Sequence, residues 1–78
     1  MNSSYVVIIE KGPTNFGAYL PDLPGCVAVA DTEAEVWKLI VEAVNLHVET
    51  MQENGESIPE PQSSARVLEV EIPAVTAV

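Results

Sequence analysis

The chain has 78 residues, with twelve Asp and Glu against three Lys and Arg, and a formal net charge of −9. A chain of this length forms one small domain that buries only about 60–65% of its unfolded surface, so its stability is marginal without outside help. Three scattered cations, Lys11, Lys38 and Arg66, are too few to neutralise a phosphate backbone; the single Cys26 excludes an internal disulfide; and no apolar run approaches the ~20 residues of a membrane-spanning helix.

These limits set expectations about partners. No direct nucleic-acid binding, membrane attachment or cofactor is expected. Association with a partner or with a second copy is the remaining source of stability, and a homodimer or higher homo-oligomer is expected. The acidity favours solubility and rapid encounter with a basic partner; a solvated surface alone accounts for it equally well. The opening residues MNSSY lack the basic segment of a signal peptide, and a lone thiol suits a reducing interior, so a cytoplasmic location is expected.

The elements follow in chain order. Ser4 to Glu10, SYVVIIE, reads as a strand with apolar residues on both faces, which suits a central position. Lys11 to Asn15 is a turn. Phe16 to Leu20 is a second strand, with Phe16, Ala18 and Leu20 alternating against Gly17 and Tyr19. Pro24-Gly25 suits the middle of a type II turn, because Pro fixes the first torsion and Gly supplies the positive one. Cys26 to Ala30 is a third strand.

Thr32 to Gly55 is the one long helical pattern. Thr32 with Glu35 has the capping-box spacing, Asp31, Glu33 and Glu35 place negative charge at the positive end of the helix dipole, and Asn54-Gly55 is a stop. Such a helix is roughly 33 Å long. Val36, Ile40, Ala43, Val44, His47 and Met51 form one apolar face. Trp37, Val41 and Val48 form a second stripe beside it, which is either a widening of the core face or a protein contact.

Glu56 to Ser64 is an extended connector, since Pro59 and Pro61 bar a helix. Arg66 to Ile72, RVLEVEI, reads as a last strand. Arg66, Leu68, Val70 and Ile72 alternate with Val67, Glu69 and Glu71, giving one buried and one wet face. Residues 1–73 are expected to form the domain and 74–78 a loose tail. The order β-β-β-α-β is an α+β arrangement, one sheet with one covering helix, and a right-handed crossover to the last strand is expected.

The run Ala18-Tyr19-Leu20-Pro21-Asp22-Leu23-Pro24-Gly25-Cys26 resembles the signature of the HicB antitoxin family. Asp31-Thr32 leading into the helix, Glu35, Glu42-Ala43 and His47 fit the same resemblance, as do Gly55-Glu56 and Ile58-Pro59-Glu60-Pro61. It spans about Tyr5 to Val70. It implies a partial ribonuclease-H-like fold with strand order 3-2-1-4, and a role in a type II toxin-antitoxin pair. It also implies a partner, a small basic HicA-type ribonuclease whose active site the antitoxin covers. No C-terminal DNA-binding module like that of longer family members is expected, and the sequence is similar to the short single-domain branch.

The residues offer little chemistry of their own. A metal-dependent nuclease of this fold needs a carboxylate in the middle of the first strand, and Val6-Val7-Ile8-Ile9 stands there. His47 has no ligand or ionisable group at i±3 or i±4, and a buried or half-buried histidine bonded to backbone is expected. Cys26 has no nearby base or cation in sequence and reads as a structural thiol. No catalytic, cofactor or metal residue is therefore expected, and the protein is not expected to be an enzyme.

Candidate partner-binding residues are Tyr19, Asp22, Leu23, Trp37, Val41 and Val48. Trp37 either covers the sheet or anchors an interface. Asp22 either bonds local amides or stands at the rim of a binding surface. Two functions fit: an antitoxin-like module that covers the RNA-binding face of a basic HicA-type ribonuclease, or an orphan self-associating regulatory or scaffold domain of the same fold.

Overall fold

In the computed structural model, which describes residues 2–75, three antiparallel strands precede one helix. The strands are β1 (Ile8–Lys11), β2 (Phe16–Tyr19) and β3 (Val27–Ala30), and the helix is α1 (Glu33–Glu53). The sheet order is β1-β2-β3, so both β1 and β3 have an unpaired edge. Each strand is shorter than its sequence pattern, because pairing ends where the turns begin.

The register sorts the side chains into two faces. Ile9, Ala18 and Ala28 lie in one cross-strand row, and Lys11, Phe16 and Ala30 in the next. This face meets the helix. Its row of small residues, Ala18 and Ala28, lets the helix approach closely, and Val36 and Ile40 descend onto it. The buried core is Ala18, Leu20, Leu23, Cys26, Val36 and Ile40, with Tyr5, Val7, Ile9 and Val44 packed around it. On the opposite face Ile8, Tyr19 and Val27 form a row, and nothing covers Tyr19, Val27 or Val29.

The helix begins and ends as its sequence dictates. The Thr32 hydroxyl accepts the Glu35 N–H at 3.1 Å. At the far end Gly55 adopts φ +70°, the Glu56 N–H reaches the Met51 carbonyl at 2.8 Å, and the Gly55 N–H reaches Gln52 at 3.1 Å. That pair of bonds is the Schellman closure, which a left-handed residue permits.

The sheet keeps the 3-2-1 part of the expected order, but the expected fourth strand is not in it. Arg66–Ile72 pairs with no strand among the described residues, and every residue from 62 to 75 is exposed. Leu68 is 82% and Ile72 83% exposed. The physical reason is that an alternating segment becomes a strand only against an edge, and this one leaves the body instead. The radius of gyration, 16.8 Å, exceeds the about 11–12 Å of a compact chain of this length, and the longest dimension is 64 Å. Of the expected tail, residues 74 and 75 carry no regular structure, and 76–78 lie outside the described residues.

Candidate interaction surface

The segment between β2 and β3 is two consecutive turns. The Leu23 N–H bonds the Leu20 carbonyl and the Cys26 N–H bonds the Leu23 carbonyl, each at 3.3 Å. Gly25 has φ +94°, the positive torsion that a type II turn demands. Reversing direction twice drives Leu23 inward and Asp22 outward. Leu23, 1% exposed, is at the centre of the core and offers no surface to a partner. Its position inside a turn motif suggested the surface; the double turn is what buries it.

Asp22 is used within the chain. Its Oδ2 accepts the Gln62 N–H at 3.0 Å and the Ser63 N–H at 2.8 Å, and its Oδ1 accepts the Ser63 hydroxyl at 3.1 Å. The Ser63 backbone bond is the main reason its carboxyl is held below the ordinary aspartate range; partial burial opposes this, and the Gln62 backbone bond and the Ser63 hydroxyl bond reinforce it. The carboxylate therefore clips the connector to the turn across forty residues of sequence. A second tie lies nearby in the chain: the Tyr5 hydroxyl donates to the Pro59 carbonyl.

The other candidates are on the surface but not in one place. Tyr19 belongs to the uncovered sheet face, with Val27 and Val29. Trp37, half-exposed, and Val41 lie on one flank of the helix, and Val48 continues that flank half-buried. Val41 borders a cavity of about 190 Å³ between the helix and the residues leading into β1, which include Tyr5 and Val7.

The sequence reading missed Leu39 and Leu46. Both are exposed, on the helix flank opposite Trp37. Glu35, Glu42 and Glu49 recur every seven residues, a spacing that keeps them on one line of a helix, and all are exposed beside the two leucines. The signal was present as the sevenfold spacing of Leu39 and Leu46, parallel to that of the acids. Val27 and Val29, also exposed, were read only as strand-forming residues.

Little here supports chemistry on a substrate. The Cys26 thiol is buried, and burial pushes its pKa up, away from the reactive thiolate. His47 is half-buried, and its imidazole faces Gly25: a Cβ there would sit 3.9 Å from His47 Cε1. Among the described residues no cluster of three or more His, Cys, Asp or Glu is placed to hold a metal ion, and no helix is long and apolar enough to cross a membrane.

Comparison with known proteins agrees with this geometry. Over 55 residues, 70% of its length, the chain is 36% identical to an uncharacterized 14.9 kDa protein from the rep-hol intergenic region of Haemophilus phage HP1 (strain HP1c1). It spans 41% of that relative's length. Its fold is similar to that of a chain in the solved HicA3 and HicB3 toxin-antitoxin complex, with a TM-score of 0.64 and 32% identity, covering 77% of this chain and 70% of that one. Residues 5–72 match the family described as HicB-like antitoxin of bacterial toxin-antitoxin system. That match takes in β1, the double turn, the helix and the clipped connector together, and the chain belongs to the HicB-like antitoxin family.

Proposed function

We propose that this chain neutralises a basic HicA-type ribonuclease by covering its RNA-binding face, and that it does so as a binding module without catalysis of its own. The observation that carries the reading is the likeness to a chain solved within a HicA3 and HicB3 toxin-antitoxin complex. Charge supports it: a surface of −9 presents carboxylates where RNA would present phosphates.

The toxin-facing surface is the acidic ridge of α1, Glu35, Glu42 and Glu49, with Leu39 and Leu46 as apolar anchors beside it. An interface needs both parts. Carboxylates steer the encounter and fix its orientation, while desolvated apolar side chains slow dissociation. Tyr19 and Trp37 lie on other faces and are reserved in this reading for a second contact.

The test is co-expression with a HicA-type toxin, followed by purification through a tag on the toxin. Co-elution of the two in a fixed ratio is expected. A toxin that elutes alone leaves the orphan self-associating reading in its place, which the exposed apolar surface of the sheet and helix also supports.

A further inference from the structure

We propose that residues Arg66–Ile72 form the fourth strand of a neighbouring copy's sheet, pairing with the free edge of its β1, so that two chains exchange arms in a closed dimer. Each chain holds one unpaired strand-like segment and, at β1, a vacant edge that fit one another. The arm has the alternation of a half-buried strand, with Leu68, Val70 and Ile72 on one face and Glu69 and Glu71 on the other. In a single copy that apolar face is mostly exposed, Leu68 82%, Val70 64% and Ile72 83%.

The vacancy is at β1. The helix packs chiefly on β3 and then on β2, so the sheet is covered off-centre. The uncovered space on the helix side is the cavity of about 190 Å³, lined by Val7 and Tyr5 from below and by Ile40, Val41 and Val44 from above. A cavity of about 150 Å³ holds a benzene-sized group, so this one accepts an aliphatic side chain or two. A strand laid along β1 directs every second residue there. Leu68, Val70 and Ile72 would enter beneath Val41, and Glu69 and Glu71 would stay wet. At the β3 edge Ala28 and Ala30 already pack against the core beneath the helix.

The clip at Asp22 decides whose edge is used. It fixes the chain at Gln62 and Ser63, and from there the arm runs clear of its own body. Reciprocal exchange satisfies both arms and both edges at once, which is the closed, self-complementary interface of a twofold dimer. It also pairs both β1 edges, leaving at the new margins the arms, whose wet faces carry Glu69 and Glu71. The proposal does not depend on the antitoxin reading, and its test uses no toxin.

Sedimentation of the full chain at micromolar concentration is expected to give a dimer. The double variant Leu68→Asp/Val70→Asp is expected to weaken association at least about a hundredfold, since two buried aliphatic side chains become charged. Because these side chains lie outside the core of one copy, the helical circular dichroism of the variant is expected to be unchanged. In a mixture of isotopically labelled and unlabelled chains, contacts from Leu68 methyls to Val7 and Val41 are expected between copies. A monomeric wild-type chain, a dimer indifferent to the double variant, or contacts of Leu68 confined to its own copy would each overturn the proposal.

Discussion

Asp22 holds Ser63 from two sides, its Oδ2 taking the backbone N–H at 2.8 Å and its Oδ1 the hydroxyl at 3.1 Å. One carboxylate thereby joins the double turn to the connector and sets where the arm departs.

Protonation weakens that clip. The folded carboxyl titrates below the ordinary aspartate value of ~3.9. Its contribution is therefore present above that value and is lost as pH falls through the lowered one. An NMR titration following the Ser63 amide is expected to show a midpoint below the ordinary value. In Asp22→Ala the amide protons of Gln62 and Ser63 are expected to exchange faster while those of α1 do not. A Ser63 amide that titrates at or above the ordinary value would contradict the clip.

Core and surface apolar residues on the same helix are expected to differ sharply. Ile40 is fully buried and Leu46 is mostly exposed. Ile40→Ala is expected to cost about 2–5 kcal/mol, a large share of the stability of so small a domain. Leu46→Ala is expected to stay within about 0.5 kcal/mol, the range of surface substitutions. Urea denaturation of both variants checks the pair, and comparable losses would contradict the packing described.

The double turn depends on one torsion. Gly25→Ala leaves the new Cβ in ordinary contact with His47 but forces a side chain into φ +94°. The expected loss is about 1–3 kcal/mol. Thr32→Ala, which removes the helix cap, is expected to cost about 1 kcal/mol. Thermal unfolding of each variant measures both. An unaffected Gly25→Ala chain would mean that the turn relaxes to another form.

The sequence made the local structure legible and the long-range structure much less so. Thr32 with Glu35, Gly55 after Asn54, and Pro24-Gly25 announce their conformations because each is decided by bonds within a few residues. The alternation of Arg66–Ile72 announces a strand but carries no information about whose edge it joins. Leu23 looked like a turn residue, and only two successive reversals explain its burial. The clip between Asp22 and Ser63 spans about forty residues, beyond the reach of any pattern. Leu39 and Leu46 escaped notice because they lie apart from the broader apolar face.

The proposed docking through the acidic ridge predicts a salt signature. Glu42→Lys with Glu49→Lys is expected to slow association with the basic toxin about tenfold or more at low salt, with little change in chain stability. Stopped-flow mixing at two salt concentrations reads this directly. An association rate indifferent to both salt and the substitutions would remove the ridge from the interface.

The most direct measurement is RNA cleavage by a HicA-type toxin while the purified chain is titrated in. Cleavage is expected to fall to background at a fixed, near-stoichiometric ratio, with the chain alone leaving the RNA intact. Undiminished cleavage at a large excess of the chain would contradict the central claim that this protein acts by covering a toxin's RNA-binding face.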